Sequence, residues 1–75
     1  MTEEELKKIP FRFVCHLNME HEHCTTYASE DGKFGFCVHQ PYKNGAPYGR
    51  SYRHWRIGGD VFKSWGKFLE RLKDV

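Results

Sequence analysis

The chain has 75 residues and a mass of 8.9 kDa, which predicts one small domain, 1–75, because a second core needs a longer chain. Hydrophobic residues make up only 39% of the sequence and no apolar run approaches the roughly 18 residues of a membrane span, whereas an aromatic content of 16% argues against a disordered chain. The net charge of +2 is uneven, since residues 1–42 carry four bases and seven acids and residues 43–75 carry eight bases and three acids.

The first predicted element is a short N-terminal helix. Thr2 and Glu5 have the spacing of a capping box, and Pro10 ends the segment, so a helix is predicted over Thr2–Lys8. This polar N-terminus has no apolar stretch of the kind that a secretory signal carries, so export is not expected for the chain as given.

A first β-strand is predicted over Phe11–Leu17, where apolar and polar residues alternate. The alternation puts an apolar set on one face of this strand: Phe11, Phe13, Cys15 and Leu17. Cys15 is therefore expected to be a thiol of the core, and His16 is expected on the opposite face. A polar loop, Asn18–His23, follows.

A β-hairpin is predicted around Asp31-Gly32, a dipeptide that tolerates the positive φ angles of a type I′ turn, between strands Cys24–Ser29 and Lys33–His39. A two-residue loop places Cys24 opposite His39 and Thr26 opposite Cys37. Phe34 and Phe36 then lie on a core face, and a register slip of one residue would expose them. The other face carries Cys24, Thr26, Cys37 and His39.

The C-terminal half is predicted to form a loop, a strand and a helix. Gln40–Gly49 is rich in Pro, Gly and Asn and reads as a loop, and Arg50–Ile57 alternates as a strand. Asp60 is a suitable N-cap for a helix over Val61–Lys73, which has one apolar stripe. The predicted fold is α+β: a small antiparallel sheet of three to four strands, with the C-terminal helix packed on one face and a short N-terminal helix.

The cysteines and histidines are the first functional signal. Three cysteines and four of five histidines lie between Cys15 and His39. The hairpin register brings Cys24, Cys37 and His39 together, and thiolate and imidazole are the ligands of zinc. The predicted metal ligands are Cys24, Cys37, His39 and, from the loop, His21, with His23 and His16 as alternatives for the fourth position.

Two other interpretations of this cluster are open. The cysteines can be small buried hydrophobic residues with the histidines at the surface, since the C-x2-C knuckle typical of zinc hairpins is missing. A Cys24–Cys37 disulfide is the other, although a chain without an export signal is expected in the reducing cytoplasm, where thiols stay free or bind metal.

The second signal is a mixture of basic and aromatic residues in the C-terminal half. Guanidinium and ammonium groups contact phosphates and aromatic rings stack on bases, so nucleic-acid binding is predicted. The predicted contact residues are Lys43, Arg50, Tyr52, Arg56, Lys63 and Lys67.

No enzyme motif is present: the chain has neither a glycine-rich phosphate loop nor a recognisable nucleophile–base arrangement, and it has little room for a concave site. A non-catalytic binding module is predicted, without a membrane partner or a small-molecule substrate. The alternative is a protein–protein interaction module, such as a phage or mobile-element inhibitor of a host protein, in which exposed tyrosines form the interface.

Overall fold

The computed structural model describes all 75 residues, which form one antiparallel sheet with a short helix near each end of the chain. The α+β class is therefore confirmed, although the sheet has six strands, more than the three to four predicted. The elements are α1 Glu3–Lys7, β1 Phe11–Asn18, β2 Glu22–Ser29, β3 Phe34–Lys43, β4 Ala46–Pro47, β5 Tyr52–Ile57, β6 Asp60–Phe62 and α2 Trp65–Leu72. Neither helix has the length and apolar character needed to cross a bilayer.

The N-terminal helix begins as the sequence predicts. The Thr2 hydroxyl accepts a hydrogen bond from the Glu5 backbone N–H, and the Glu5 carboxylate accepts one from the Thr2 backbone N–H. This reciprocal cap satisfies backbone donors that a helix N-terminus otherwise leaves unpaired. It fixes the start of α1, whose Leu6 is buried in the core.

The strands follow the order β1-β2-β3-β5-β6, and β4 pairs with the end of β3. The predicted register of β2 against β3 is confirmed, with Cys24 opposite His39 and Thr26 opposite Cys37. The predicted type I′ turn is wrong, because Gly32 has a φ of 73° but Asp31 does not have a positive φ. Instead, the Asp31 carboxylate accepts hydrogen bonds from the Ser29 hydroxyl and the Lys33 backbone N–H.

Strand β1 contains a β-bulge that the alternating sequence does not reveal. Phe13 lies opposite Tyr27, but the next paired residue is Cys15, opposite Thr26, so Val14 is the extra residue. The bulge moves Cys15 onto the same face as Thr26 and Cys37. Cys15 is exposed there, so its predicted place in the core is wrong.

A second hairpin occupies the segment that was predicted to be a loop. Strand β3 continues to Lys43, and β4 folds back onto it. Asn44 and Gly45 connect them with φ angles of 53° and 78°, and positive φ at both central residues is the requirement of a type I′ turn. The Asn-Gly dipeptide therefore makes the turn that was assigned to Asp31-Gly32.

The C-terminal helix starts later than predicted. Asp60–Phe62 pairs with β5 as β6, so Asp60 is not the N-cap. Ser64 takes that role, and its hydroxyl accepts a hydrogen bond from the Lys67 backbone N–H. The helix α2 consequently covers Trp65–Leu72 only.

The core lies between one face of the sheet and the two helices, and we call this sheet face the covered face. The buried residues of this core are Leu6 from α1, Phe34 and Ile57 from the sheet, and Phe68 and Leu72 from α2. Trp65 remains 38% exposed although its ring centre lies 4.5 Å from that of Trp55. Phe13, which belongs to the predicted apolar face of the first strand, is 62% exposed on edge strand β1.

These burial differences predict the effect of two otherwise identical substitutions. Phe68 is 1% exposed, so Phe68→Ala should lower the free energy of unfolding by about 3 to 5 kcal/mol, enough to unfold most of a domain this small. Phe13→Ala should cost less than about 1 kcal/mol, because Phe13 is at the surface. Urea denaturation followed by tryptophan fluorescence measures both, and equal losses would contradict this description of the core.

Candidate metal centre

The second face of the sheet carries no helix, and we call it the open face. The register places its side chains in two neighbouring rows that cross β1, β2, β3 and β5. The first row is Cys15, Thr26, Cys37 and His54, and the second is Leu17, Cys24, His39 and Tyr52.

Three of the predicted metal ligands meet where these rows cross the centre of the sheet. One ligand atom from each of Cys24, Cys37 and His39 lies within 4.8 Å of the other two. Cys24 is buried, and Cys37 and His39 are half-buried. Zinc bonds to sulfur at about 2.3 Å and to imidazole nitrogen at about 2.0 Å, so one ion between these atoms can reach all three.

The orientation of His39 fits a metal ligand. Its Nδ1 lies 3.1 Å from Glu22 Oε2, while its Nε2 is buried and has no hydrogen-bond partner. When the Nδ1–H donates a hydrogen bond to the carboxylate, Nε2 is unprotonated and presents a lone pair. Metal-binding histidines commonly hold this tautomer through a carboxylate partner, so a metal ion would give the unpaired nitrogen its missing partner.

Glu22 is itself held in place by Tyr52. The Tyr52 hydroxyl donates a hydrogen bond to Glu22 Oε1, and its ring stacks on the His39 ring with centres 4.9 Å apart. The hydrogen bonds from Tyr52 and then His39 lower the pKa of the Glu22 carboxyl, which keeps it ionised as an acceptor. A continuous chain of contacts thus runs from β5 through β2 to the imidazole on β3.

The two thiols have different surroundings. Burial, followed by the neighbouring Cys37, raises the pKa of the Cys24 thiol. Cys37 Sγ lies 3.0 Å from the Thr26 hydroxyl, which can donate to a metal-bound thiolate. All three cysteines of the chain are free thiols in this structure. In proteins that bind zinc through such residues, the ion replaces the thiol protons, and its binding stabilises the folded state.

The histidines proposed for the fourth position lie elsewhere. His21 is exposed in the turn before β2, where its Nε2 lies 3.9 Å from Glu20, so the structure does not bring it to the three ligands. His16 and His23 are on the covered side, because the bulge turns His16 towards Thr25 and His23 stacks on Tyr42.

The histidine nearest to the ligand set is His54, which was not among the predicted ligands. His54 lies directly opposite Cys37, and its ring centre is 4.5 Å from that of His39. Burial, followed by the nearby His39, lowers the pKa of His54, which favours the neutral imidazole. Extending the predicted hairpin register by one strand beyond Cys37 would have found it, but the sequence does not give the strand order.

Two of the predicted nucleic-acid contacts, Tyr52 and Arg56, make intramolecular hydrogen bonds. Tyr52 binds Glu22, as described above. The Arg56 guanidinium donates hydrogen bonds to the carbonyls of Gly32 and Gly58, at 3.2 and 2.6 Å. It thus links the turn between β2 and β3 to the turn between β5 and β6. Gly35 lies directly beneath it, where a Cβ atom would come within 2.9 Å of Arg56 Nη2.

The other four predicted contacts are exposed, and they lie in two separate segments of the chain. Lys43 and Arg50 lie at the two ends of the segment that contains β4, and Lys43 rests over the Tyr48 ring at 5.2 Å. Lys63 and Lys67 lie before and within α2.

Comparison of the chain with protein-family models, with curated proteins and with solved structures found no match.

Because Glu22 contacts His39 but is not a proposed ligand, a substitution of Glu22 should weaken metal binding while leaving every ligand in place. Glu22→Gln removes the charge that orients His39, so zinc affinity should fall about 10- to 100-fold. Glu20→Gln, two residues earlier in the exposed turn, should leave the affinity unchanged. Competition titration with a chromophoric chelator measures both variants, and equal affinities for Glu22→Gln and the unmodified protein would show that the contact does not support a metal.

Proposed function

We propose that this chain is a small non-catalytic binding module whose open face is stabilised by zinc held by Cys24, Cys37 and His39. The observation that carries this proposal is the position of His39. Its Nδ1 contacts a carboxylate, its buried Nε2 is unpaired, and the ring lies beside two thiols. A buried imidazole nitrogen without a partner is costly unless something binds it.

Zinc is the metal that these donors favour. Two thiolates and a neutral imidazole suit a tetrahedral site, and the two negative sulfurs balance the charge of a divalent ion. The chain also has few buried side chains, with a core cluster of five residues. Domains of this size commonly need a metal or a disulfide as an additional source of stability.

Metal loading should therefore change the stability of the chain. Adding one equivalent of Zn²⁺ to the metal-free, reduced protein should raise the melting temperature, because a ligand that binds only the folded state stabilises it. Cys37→Ser should abolish this rise. Cys15→Ser is the matched control, since Cys15 is exposed and outside the ligand set, and it should retain the full rise.

Calorimetry with and without a chelator makes this measurement. A melting curve that is the same for the zinc-treated and metal-free protein would contradict the proposal. An equal loss of the zinc effect in Cys15→Ser and Cys37→Ser would show that zinc binds the thiols without selecting this site.

For the partner of the module, we propose nucleic acid. The support is electrostatic: Lys43, Arg50, Lys63 and Lys67 are exposed and none of them is in an ion pair, whereas Lys7, Arg12 and Arg71 are paired with carboxylates. Free cationic side chains release the counterions condensed on a nucleic acid when they contact its phosphates.

This proposal is tested by a charge-matched pair of double variants. Lys43→Ala with Arg50→Ala should weaken binding to random single- and double-stranded oligonucleotides and lower the salt slope by about two phosphate contacts. Lys7→Ala with Arg12→Ala removes the same charge from the acidic half and should have a much smaller effect. Fluorescence anisotropy at several salt concentrations measures this. If neither oligonucleotide binds at micromolar protein, a protein partner replaces nucleic acid as the preferred proposal.

A further inference from the structure

We propose that His54 is the fourth ligand of the metal centre, so that the complete ligand set is Cys24, Cys37, His39 and His54. This inference rests on the proposed zinc site, and it concerns how the coordination sphere is closed. It replaces His21, the loop histidine that was predicted for the fourth position.

The position of His54 in the sheet supports this role. It is the direct cross-strand neighbour of Cys37, in the same row of the open face. The side chain is half-buried and makes no hydrogen bond in the structure, whereas Tyr52, two residues earlier, is committed to Glu22. The His54 imidazole packs against the rings of His39 and Tyr52 but can turn without breaking a hydrogen bond.

The distance between the two imidazoles also fits a shared ion. The ring centres of His39 and His54 are 4.5 Å apart and their planes are inclined by 53°. Two imidazoles on one tetrahedral zinc ion have ring centres about 5 Å apart, given a zinc–nitrogen bond of about 2.0 Å. His54 lies outside the set of ligand atoms that are within 4.8 Å of one another, so metal binding by His54 requires its side chain to rotate towards Cys37 and His39.

The other groups that could fill the fourth position are less well placed. His21 is exposed and lies beside Glu20, and His16 and His23 belong to the covered side. The remaining competitor is a water molecule, which would leave an open site of the catalytic type. With His54 the site is closed, and the ion connects β2, β3 and β5 through side chains of all three strands.

Nitrogen-15 spectra of the histidine rings in the full-length, reduced protein test the inference directly. On addition of one equivalent of Zn²⁺, the ring nitrogens of His39 and His54 should both shift and lose their exchange between tautomers. Those of His16, His21 and His23 should not change. A shift at His39 with no change at His54, or a shift at His21 instead, would overturn the inference.

Variants separate this inference from the proposed zinc site. His54→Ala should lower zinc affinity more than about 100-fold, beyond the 10- to 100-fold effect of an outer-shell partner, and His21→Ala should have no effect. Co²⁺ is the spectroscopic probe: sulfur-to-cobalt absorption reports the thiolates, and the visible bands report the geometry. Thiolate absorption that persists in His54→Ala, with unchanged visible bands and affinity, would leave the zinc site standing and reject His54. Absence of thiolate absorption in the unmodified protein would reject both.

Discussion

The antiparallel register between β2 and β3 determines almost everything else on the open face. It places Cys24 beside His39 and Cys37 one row away, and the next strand adds His54 to the row of Cys37. The same register turns Phe34 towards the helices, where only 3% of it is exposed. A slip of one residue would put this ring into water at a cost of about 2 to 3 kcal/mol and would disperse the thiols. The stability of the core therefore maintains the arrangement of the candidate site.

The features that were predictable from the sequence are those with local signals. The capping box of α1 and the β2–β3 register can each be predicted from a short segment of sequence, and both are confirmed. The bulge could not be predicted, because Phe11–Leu17 alternates without interruption and only the pairing with β2 reveals the extra residue. The Asn44-Gly45 turn did have a signal in the sequence, but the surrounding prolines and glycines favoured a loop.

The candidate site shows the same division between local and long-range information. Cys24, Cys37 and His39 follow from one hairpin. The support around them does not, because Tyr52 and His54 belong to β5, which is separated from β3 by the segment containing β4. The sequence suggested an aromatic surface for nucleic acid at Tyr52, whereas its ring and hydroxyl are used to hold His39 and Glu22. The partners of Tyr52 depend on the order of the strands, which the sequence does not show.

The bulge at Val14 also affects how the exposed edge of the sheet could pair with another strand. Strand β1 is at the edge of the sheet, and its outer backbone groups have no neighbouring strand. It carries exposed apolar side chains at Phe13, Val14 and Leu17, a composition that favours the addition of a second, identical strand. The extra residue interrupts the regular spacing of the outer N–H and C=O groups, so a straight copy cannot pair along the whole edge. Deleting Val14 would leave the flanking residues on their present faces, but it would straighten this edge and make it a template for aggregation.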